Sequence, residues 1–123
     1  ELFFRARLYK LEGDYEKAIE TYEEYRLHNT YSTNAVIYNR MAESYISDKQ
    51  FDKAESILKE LLNSFPFDPT TYYHLALVYQ EQGKFNEAQT SLKIANNIWE
   101  NADETYLMAQ KAKSLYNQLE VTL

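Results

Sequence analysis

The feature that most constrains the fold of this chain is an internal repeat. An aromatic residue followed three positions later by alanine occurs three times, at Tyr15 and Ala18, Phe51 and Ala54, and Phe85 and Ala88. A small residue with a tyrosine three positions further on precedes each pair, at Ala6 and Tyr9, Ala42 and Tyr45, and Ala76 and Tyr79. Both series step by 36 and then by 34 residues. Such a period predicts a row of stacked units, because one unit alone cannot bury its apolar face.

Within each unit the apolar residues follow the period of an α-helix. In the second unit, one face with the spacing i, i+3, i+4, i+7 consists of Tyr38, Met41, Ala42 and Tyr45. After a short break, a second such face consists of Phe51, Ala54, Ile57, Leu58 and Leu61. Each unit is therefore predicted to be a pair of helices, and the fold class of the chain is predicted to be all-α.

Short polar breaks separate the two helices of each unit. Gly13 and Gly83 lie in the first and third breaks, where the residue after a helix end often adopts a left-handed conformation. Lys49 takes that place in the second break, at a predicted cost of about 1 kcal/mol, because its Cβ crowds the backbone. The third unit starts with Asp68, a helix-capping residue, and Pro69, which needs no hydrogen-bond donor at the first helical position.

Composition argues against several classes of function. The 123 residues include 19 acidic and 13 basic side chains, and the resulting charge of −6 disfavours nucleic acid and anionic membrane surfaces as partners. There is no cysteine, so a zinc thiolate site and a thiol nucleophile are excluded. Two glycines are too few for a phosphate-binding loop. We therefore expect no cofactor, no nucleic acid partner and no membrane partner.

The repeat length, the paired helices and the positions of small and aromatic residues resemble the tetratricopeptide repeat family. The resemblance implies a right-handed superhelix of helix-turn-helix units, with seven helices in a single domain. The expected units are 1–32, which lacks its first two positions, 35–68 and 69–102, followed by a capping helix at 103–121. Because Glu1 stands directly inside an apolar helical pattern, we expect the chain to be a piece of a longer protein.

The same resemblance implies a concave groove that receives a peptide or helix of a partner protein. In similar proteins the first helix of each unit lines this groove. Carried over to this sequence, the groove residues are Phe3, Arg7, Val36, Asn39, Arg40, Glu43, Ile46, Thr70, Tyr73, His74, Leu77, Gln80, Leu107 and Lys111. Apolar side chains interleaved with amides and charges are typical of a recognition surface, in which aromatic and aliphatic anchors supply most of the binding energy.

One subfamily, which clamps the C-terminal carboxylate of chaperones, can be tested by residue. Its lysine and asparagine positions are occupied here by Phe3, Arg7, Arg40, Thr70 and His74. This clamp is therefore not expected. Three of these residues, Arg7, Arg40 and His74, are predicted to form a weaker basic strip for an acidic peptide, with binding that falls as salt rises.

No catalytic arrangement is indicated. His28 and His74 lie in different units without a surrounding motif, so both are interpreted as surface polar residues rather than metal ligands or bases. Eight tyrosines are predicted to fill helix interfaces: Tyr9, Tyr15, Tyr22, Tyr38, Tyr45, Tyr72, Tyr79 and Tyr106. Tyr73, at a groove position, is predicted to be available to a partner.

The leading functional hypothesis is a non-catalytic scaffold that binds a partner peptide or helix in its groove. The alternative is a regulatory or docking domain of a larger enzyme or signalling protein whose catalytic part is not in this chain. Self-association through the apolar start at Leu2, Phe3 and Phe4 is compatible with either. The compartment is unknown from the sequence, and the cytoplasm is only slightly favoured.

Overall fold

The computed structural model describes residues 2–28, 34–100 and 106–122, and this part of the chain contains α-helices and no strand. The helices are α1 (Leu2–Leu11), α2 (Tyr15–His28), α3 (Ala35–Ser47), α4 (Phe51–Ser64), α5 (Pro69–Glu81), α6 (Phe85–Ile98) and α7 (Leu107–Thr122). The predicted all-α class and the helix pairs of the three units are confirmed. The predicted start of the capping helix, Asp103, lies outside the described residues.

Each helix packs against the next one in the chain, and α3 also packs against α5. The first helices of the second and third units are therefore in direct contact. None of the helices described is both long and apolar enough to cross a membrane.

The three turns inside the units share one backbone geometry. Gly13, Lys49 and Gly83 have positive φ angles of 82°, 60° and 75°. In each turn the amide of the following residue donates to the carbonyl five positions earlier, at 2.8 to 2.9 Å, which is the hydrogen bond of a Schellman motif. The predicted left-handed residues, including the strained Lys49, are confirmed.

Side chains cap the N-termini of α3 and α5, the first helices of the second and third units. The Asn34 carboxamide oxygen accepts from the amides of Val36 and Ile37 at 3.0 and 3.3 Å. Asp68 accepts from the Thr70 amide at 3.0 Å, with Pro69 as the first residue of α5. These caps satisfy backbone donors that would otherwise lack a partner, and the predicted role of Asp68 is confirmed.

The repeated small residues mark the places where helices approach most closely. Six alanines of the repeat pattern are fully buried: Ala6, Ala18, Ala42, Ala54, Ala76 and Ala88. One apolar cluster joins α1 through α5, and a second joins α5, α6 and α7. In α7 the buried face is formed by Ala109, Ala112, Leu115 and Leu119, while Gln110, Lys113, Asn117 and Glu120 are exposed. This is the polar outer surface predicted for a capping helix.

Of the eight tyrosines predicted to fill helix interfaces, three are buried, four are half-buried and one is exposed. The buried three are Tyr22, Tyr38 and Tyr45. Tyr106 is 43% exposed, so the packing predicted for it was wrong, whereas Tyr73 is only 9% exposed. The Tyr73 ring packs into the apolar cluster of α5, α6 and α7.

Exposed apolar side chains occur along α1: Phe4, Leu8 and Leu11 are 70%, 55% and 83% exposed. Phe3 and Leu2 are half-buried. Self-association through this region stays a prediction, which a concentration-dependent mass in solution would test.

Replacing Lys49 by glycine is expected to stabilise the fold. Glycine has no Cβ and therefore adopts φ near +60° without a clash, so the free energy of unfolding should rise by up to about 1 kcal/mol. The matched control is Lys93→Gly in the exposed interior of α6, which should lower stability by about 1 kcal/mol. Urea denaturation measures both. A Lys49→Gly variant less stable than wild type would contradict the strain at this turn.

Candidate functional site

Three adjoining depressions lie along α7 and the first helices of the units, α1, α3 and α5. The first, of about 260 Å³, lies between the starts of α3, α5 and α7. The second, of about 380 Å³, lies between the middle of α3, α5 and α7, and the third, of about 250 Å³, lies between α1, α2 and α3. Arg40 and Glu43 line all three. The depressions therefore meet at the middle of α3, and together they are called the groove.

Most of the predicted groove residues line it: Arg7, Val36, Asn39, Arg40, Glu43, Ile46, Thr70, Tyr73, His74, Leu77 and Lys111. Three predicted residues lie outside these depressions. Phe3 packs edge-on against Tyr22, with 6.4 Å between the ring centroids. Leu107 is exposed at the start of α7, and Gln80 is half-buried near the end of α5.

The sequence prediction missed two residues that line the groove, Tyr106 just before α7 and Met108 in its first turn. A signal for Met108 was present, because Arg40, His74 and Met108 follow one another at intervals of 34 residues and all three line the second depression. The prediction placed Leu107 in the groove instead, one position away from this series.

The floor of the second depression contains a buried polar network. His74 and Asn39 are 2% and 5% exposed, so the interpretation of His74 as a surface residue was wrong. The Asn39 amide nitrogen donates to the Ala35 carbonyl at 2.9 Å and to the Thr71 hydroxyl at 3.2 Å. Its carboxamide oxygen lies 2.8 Å from His74 Nδ1. Asn39 therefore connects α3 to α5 through two side chains.

Both nitrogens of the His74 ring face polar side chains of α3. Because Asn39 donates through its nitrogen to a carbonyl, its oxygen faces Nδ1 of His74. On the other side of the ring, Nε2 lies 3.2 Å from a Glu43 carboxylate oxygen. His74 of α5 is thus held between two side chains of α3.

Glu43 is the centre of charge in the groove. Its carboxylate accepts from Lys10 Nζ of α1 at 2.6 Å and from Arg40 Nη1 of α3 at 3.3 Å, in addition to His74 of α5. Burial alone would raise the pKa of Glu43, but the hydrogen bonds and charges of His74 and Lys10 outweigh burial and lower this pKa from 4.5 to about 2. Glu43 thus ties together the first helices of all three units.

The basic strip predicted from Arg7, Arg40 and His74 was wrong in one member. His74 is buried, and its Nε2 faces the Glu43 carboxylate at 3.2 Å rather than the solvent. The cations that line the groove with exposed or half-buried side chains are Arg7, Lys10, Arg40 and Lys111. Within the described ranges no group of three or more acidic or histidine side chains could hold a metal ion.

Acid should weaken the fold through Glu43. Since the folded-state pKa lies below 4.5, the ionised carboxylate stabilises the fold above that pH, and this contribution is lost as pH falls toward 2. The whole shift corresponds to about 3 kcal/mol. Wild type should be more stable than Glu43→Gln at neutral pH, and the difference in free energy of unfolding should shrink below pH 4.5.

The free energies of unfolding of wild type and Glu43→Gln are compared by thermal or urea denaturation over this pH range. The control is Glu20→Gln on the exposed face of α2. Because Glu20 takes no part in the network with Lys10 and His74, the free energy of unfolding of this variant, relative to wild type, should not show the change expected for Glu43→Gln. A Glu43→Gln deficit that stays constant with pH would contradict the ionic role of Glu43.

The chain belongs to the tetratricopeptide repeat family. Two family models described as tetratricopeptide repeat match residues 9–73 and residues 69–95. The resemblance stated from the sequence is thereby confirmed, and with it the superhelical architecture of paired helices.

Curated proteins with similar sequences include two from bacteria. TPR repeat-containing protein YpiA of Bacillus subtilis (strain 168) is 32% identical over 96 residues, which are 78% of this chain and 22% of YpiA. Photosystem I assembly protein Ycf3 of Synechococcus sp. (strain WH7803) is 25% identical over 99 residues, 80% of this chain and 57% of Ycf3. The chain thus spans about a fifth to three fifths of the length of these relatives.

Solved structures with the same fold include three complexes with peptides or peptide regions. SycD of Yersinia enterocolitica with a peptide of the translocator YopD has a TM-score of 0.85 at 17% identity, covering 98% of this chain and 91% of that chain. PcrH of Pseudomonas aeruginosa with the chaperone binding region of PopD has a TM-score of 0.85 at 12% identity, covering 98% and 90%. The first TPR of Spaghetti (RPAP3) bound to an HSP90 peptide has a TM-score of 0.80 at 18% identity, covering 98% and 89%.

Proposed function

We propose that this chain is a non-catalytic interaction module that holds a segment of a partner protein in its groove. The observation that carries the proposal is the groove itself, in which three depressions meet at Arg40 and Glu43. Similar folds support it, because SycD, PcrH and Spaghetti are each described in complex with a partner segment. Ycf3, a relative by sequence, is named as an assembly protein.

The groove offers apolar anchors beside charged groups. Val36 and Tyr106 are 57% and 43% exposed and line the first depression, while Leu77 and Met108 are half-buried in the second. Burial of such side chains supplies most of the energy at an interface, and polar groups around them determine orientation. A partner segment with apolar side chains spaced along one helical turn or one extended stretch fits this arrangement.

The polar network gives the groove a fixed shape before a partner arrives. Lys10, Glu43 and His74 connect α1, α3 and α5 by hydrogen bonds of 2.6 and 3.2 Å. A surface that is already ordered loses less conformational entropy on binding. The groove residues are therefore proposed to act as a rigid template rather than as a surface that folds around its partner.

A second candidate function is a docking domain of a larger protein. The observation that favours it is the length of the relatives, since the matched region is only 22% of YpiA. In this case the groove would hold a segment of the same protein or of its regulator. The proposal for the groove is unchanged, and only the source of the segment differs.

Substitution of Val36 by aspartate should weaken binding of the partner. Val36 lies in the first turn of α3, where a carboxylate is favourable for the helix, so the variant should fold. The matched control is Leu27→Asp, an exposed apolar residue on α2 outside the groove. Partner proteins are captured on wild type, identified by mass spectrometry and measured with each purified variant by calorimetry.

The expected result is a loss of affinity of about thirtyfold for Val36→Asp, since anchor residues contribute 2 kcal/mol or more, and little change for Leu27→Asp. Circular dichroism must show the same helix content for all three proteins. Equal affinity for both variants, or a larger loss for Leu27→Asp, would contradict binding in the groove.

A further inference from the structure

The hydroxyl of Tyr22 is the polar atom of the groove wall that the function above leaves unexplained. The Tyr22 side chain is fully buried, with its ring in the apolar cluster of α1 through α5. Its hydroxyl oxygen is buried too and has no hydrogen-bond partner in the described part of the chain. A buried hydroxyl without a partner costs about 1–3 kcal/mol. The predicted packing role therefore accounts for the ring of Tyr22 and not for its hydroxyl.

Tyr22 lines the third depression of the groove, a cavity of about 250 Å³. Three cations line the same cavity: Arg7 and Lys10 from α1 and Arg40 from α3. The only carboxylate on the described wall is Glu43. The cavity therefore combines an unpaired hydrogen-bond donor with an excess of positive charge, in a chain whose net charge is −6.

The cations differ in how far they are already neutralised. Lys10 forms a 2.6 Å ion pair with Glu43, and Arg40 lies 3.3 Å from the same carboxylate. Arg7 stacks on Phe3, with its guanidinium carbon 5.8 Å from the ring centroid, and pairs with none of the carboxylates described. Burial raises the pKa of Tyr22, the charges of Arg40 and Arg7 lower it, and the charge of Glu43 raises it. Arg7, Arg40 and Tyr22 line the same cavity.

We propose that this cavity is a recognition site for an acidic side chain of the segment that binds in the groove. The carboxylate accepts a hydrogen bond from the Tyr22 hydroxyl and pairs with Arg7 and Arg40. This inference rests on the proposed function and adds the chemistry of the partner to it: an aspartate or glutamate beside the apolar anchors.

A carboxylate fits the charges of the cavity better than a phosphate group does. Glu43 contributes a fixed negative charge to the wall, so a dianion meets stronger repulsion than a monoanion. Arg7 and Arg40 also suit a carboxylate, because a guanidinium can donate two parallel hydrogen bonds to it.

Entry of the carboxylate requires a small movement of side chains. The hydroxyl is shielded from solvent, whereas Arg7 is exposed and the Arg40 side chain is 42% exposed. Both are long, flexible side chains that can turn toward an incoming group without a change of the backbone. The site is thus assembled from a fixed donor on α2 and two mobile cations on α1 and α3.

The test uses the whole chain and small probes, so it does not depend on knowing the partner. N-acetylglutamate N-methylamide supplies a side-chain carboxylate, its glutamine counterpart is the neutral control, and inorganic phosphate tests the other anion. Binding is followed by amide chemical shifts in NMR spectra. Saturable shifts confined to α1, α2 and α3 are expected with the glutamate probe, and weaker or no shifts with the other two.

Two variants test whether Tyr22 and Arg7 bind the glutamate probe. Tyr22→Phe removes only the hydroxyl and should weaken glutamate binding about tenfold or more, because a hydrogen bond to a charged group is lost. Its stability should equal or exceed that of wild type, since an unpaired buried hydroxyl is removed. Arg7→Gln should also weaken binding, and Lys113→Gln, on the exposed face of α7, should not.

Several outcomes would overturn the proposal. They are equal binding of the glutamate and glutamine probes, tighter binding of phosphate, absence of saturable shifts, and unchanged binding by Tyr22→Phe. A Tyr22→Phe variant that is less stable than wild type would also overturn it, because the hydroxyl would then be hydrogen-bonded inside the chain. If the probe fails while Val36→Asp still weakens binding of the partner, the carboxylate site is wrong and the groove function stands.

Discussion

Close contact between helices at the repeated alanines is the constraint on which the rest of the structure depends. Residues such as Ala42 and Ala76 are fully buried, and a larger side chain there would separate the helices. Because α3 and α5 lie side by side, polar groups from different units come within hydrogen-bonding distance. The groove and its network are consequences of this packing, and a wider helix spacing would break both.

The network centred on Glu43 converts stacked units into one recognition surface. Solenoid units contact only their neighbours, so their stability is normally a sum of local terms. Here a single carboxylate accepts from Lys10 of the first unit, Arg40 of the second and His74 of the third. The same carboxylate neutralises part of the positive charge of the groove and leaves Arg7 and Lys111 as the groove cations with no described acidic partner.

The fold was predictable from the sequence because it depends on local periodicity. The repeat of alanines and tyrosines gave the helix pairs, and even the strained turn at Lys49 followed from its alignment with Gly13 and Gly83. The burial of His74 was not predictable, because Asn39 and Glu43 reach it from another helix. Their meeting depends on how α3 is rotated against α5, which the periodicity of either helix alone does not determine.

Hydrogen–deuterium exchange of the chain with and without its captured partner tests the central claim most directly, because it locates the bound segment without any substitution. Slower exchange is expected in the helices that line the groove, α1, α2, α3, α5 and α7, with little change in α4 and α6. Protection confined to α4 and α6, or to the exposed apolar residues at the start of α1, would contradict binding in the groove.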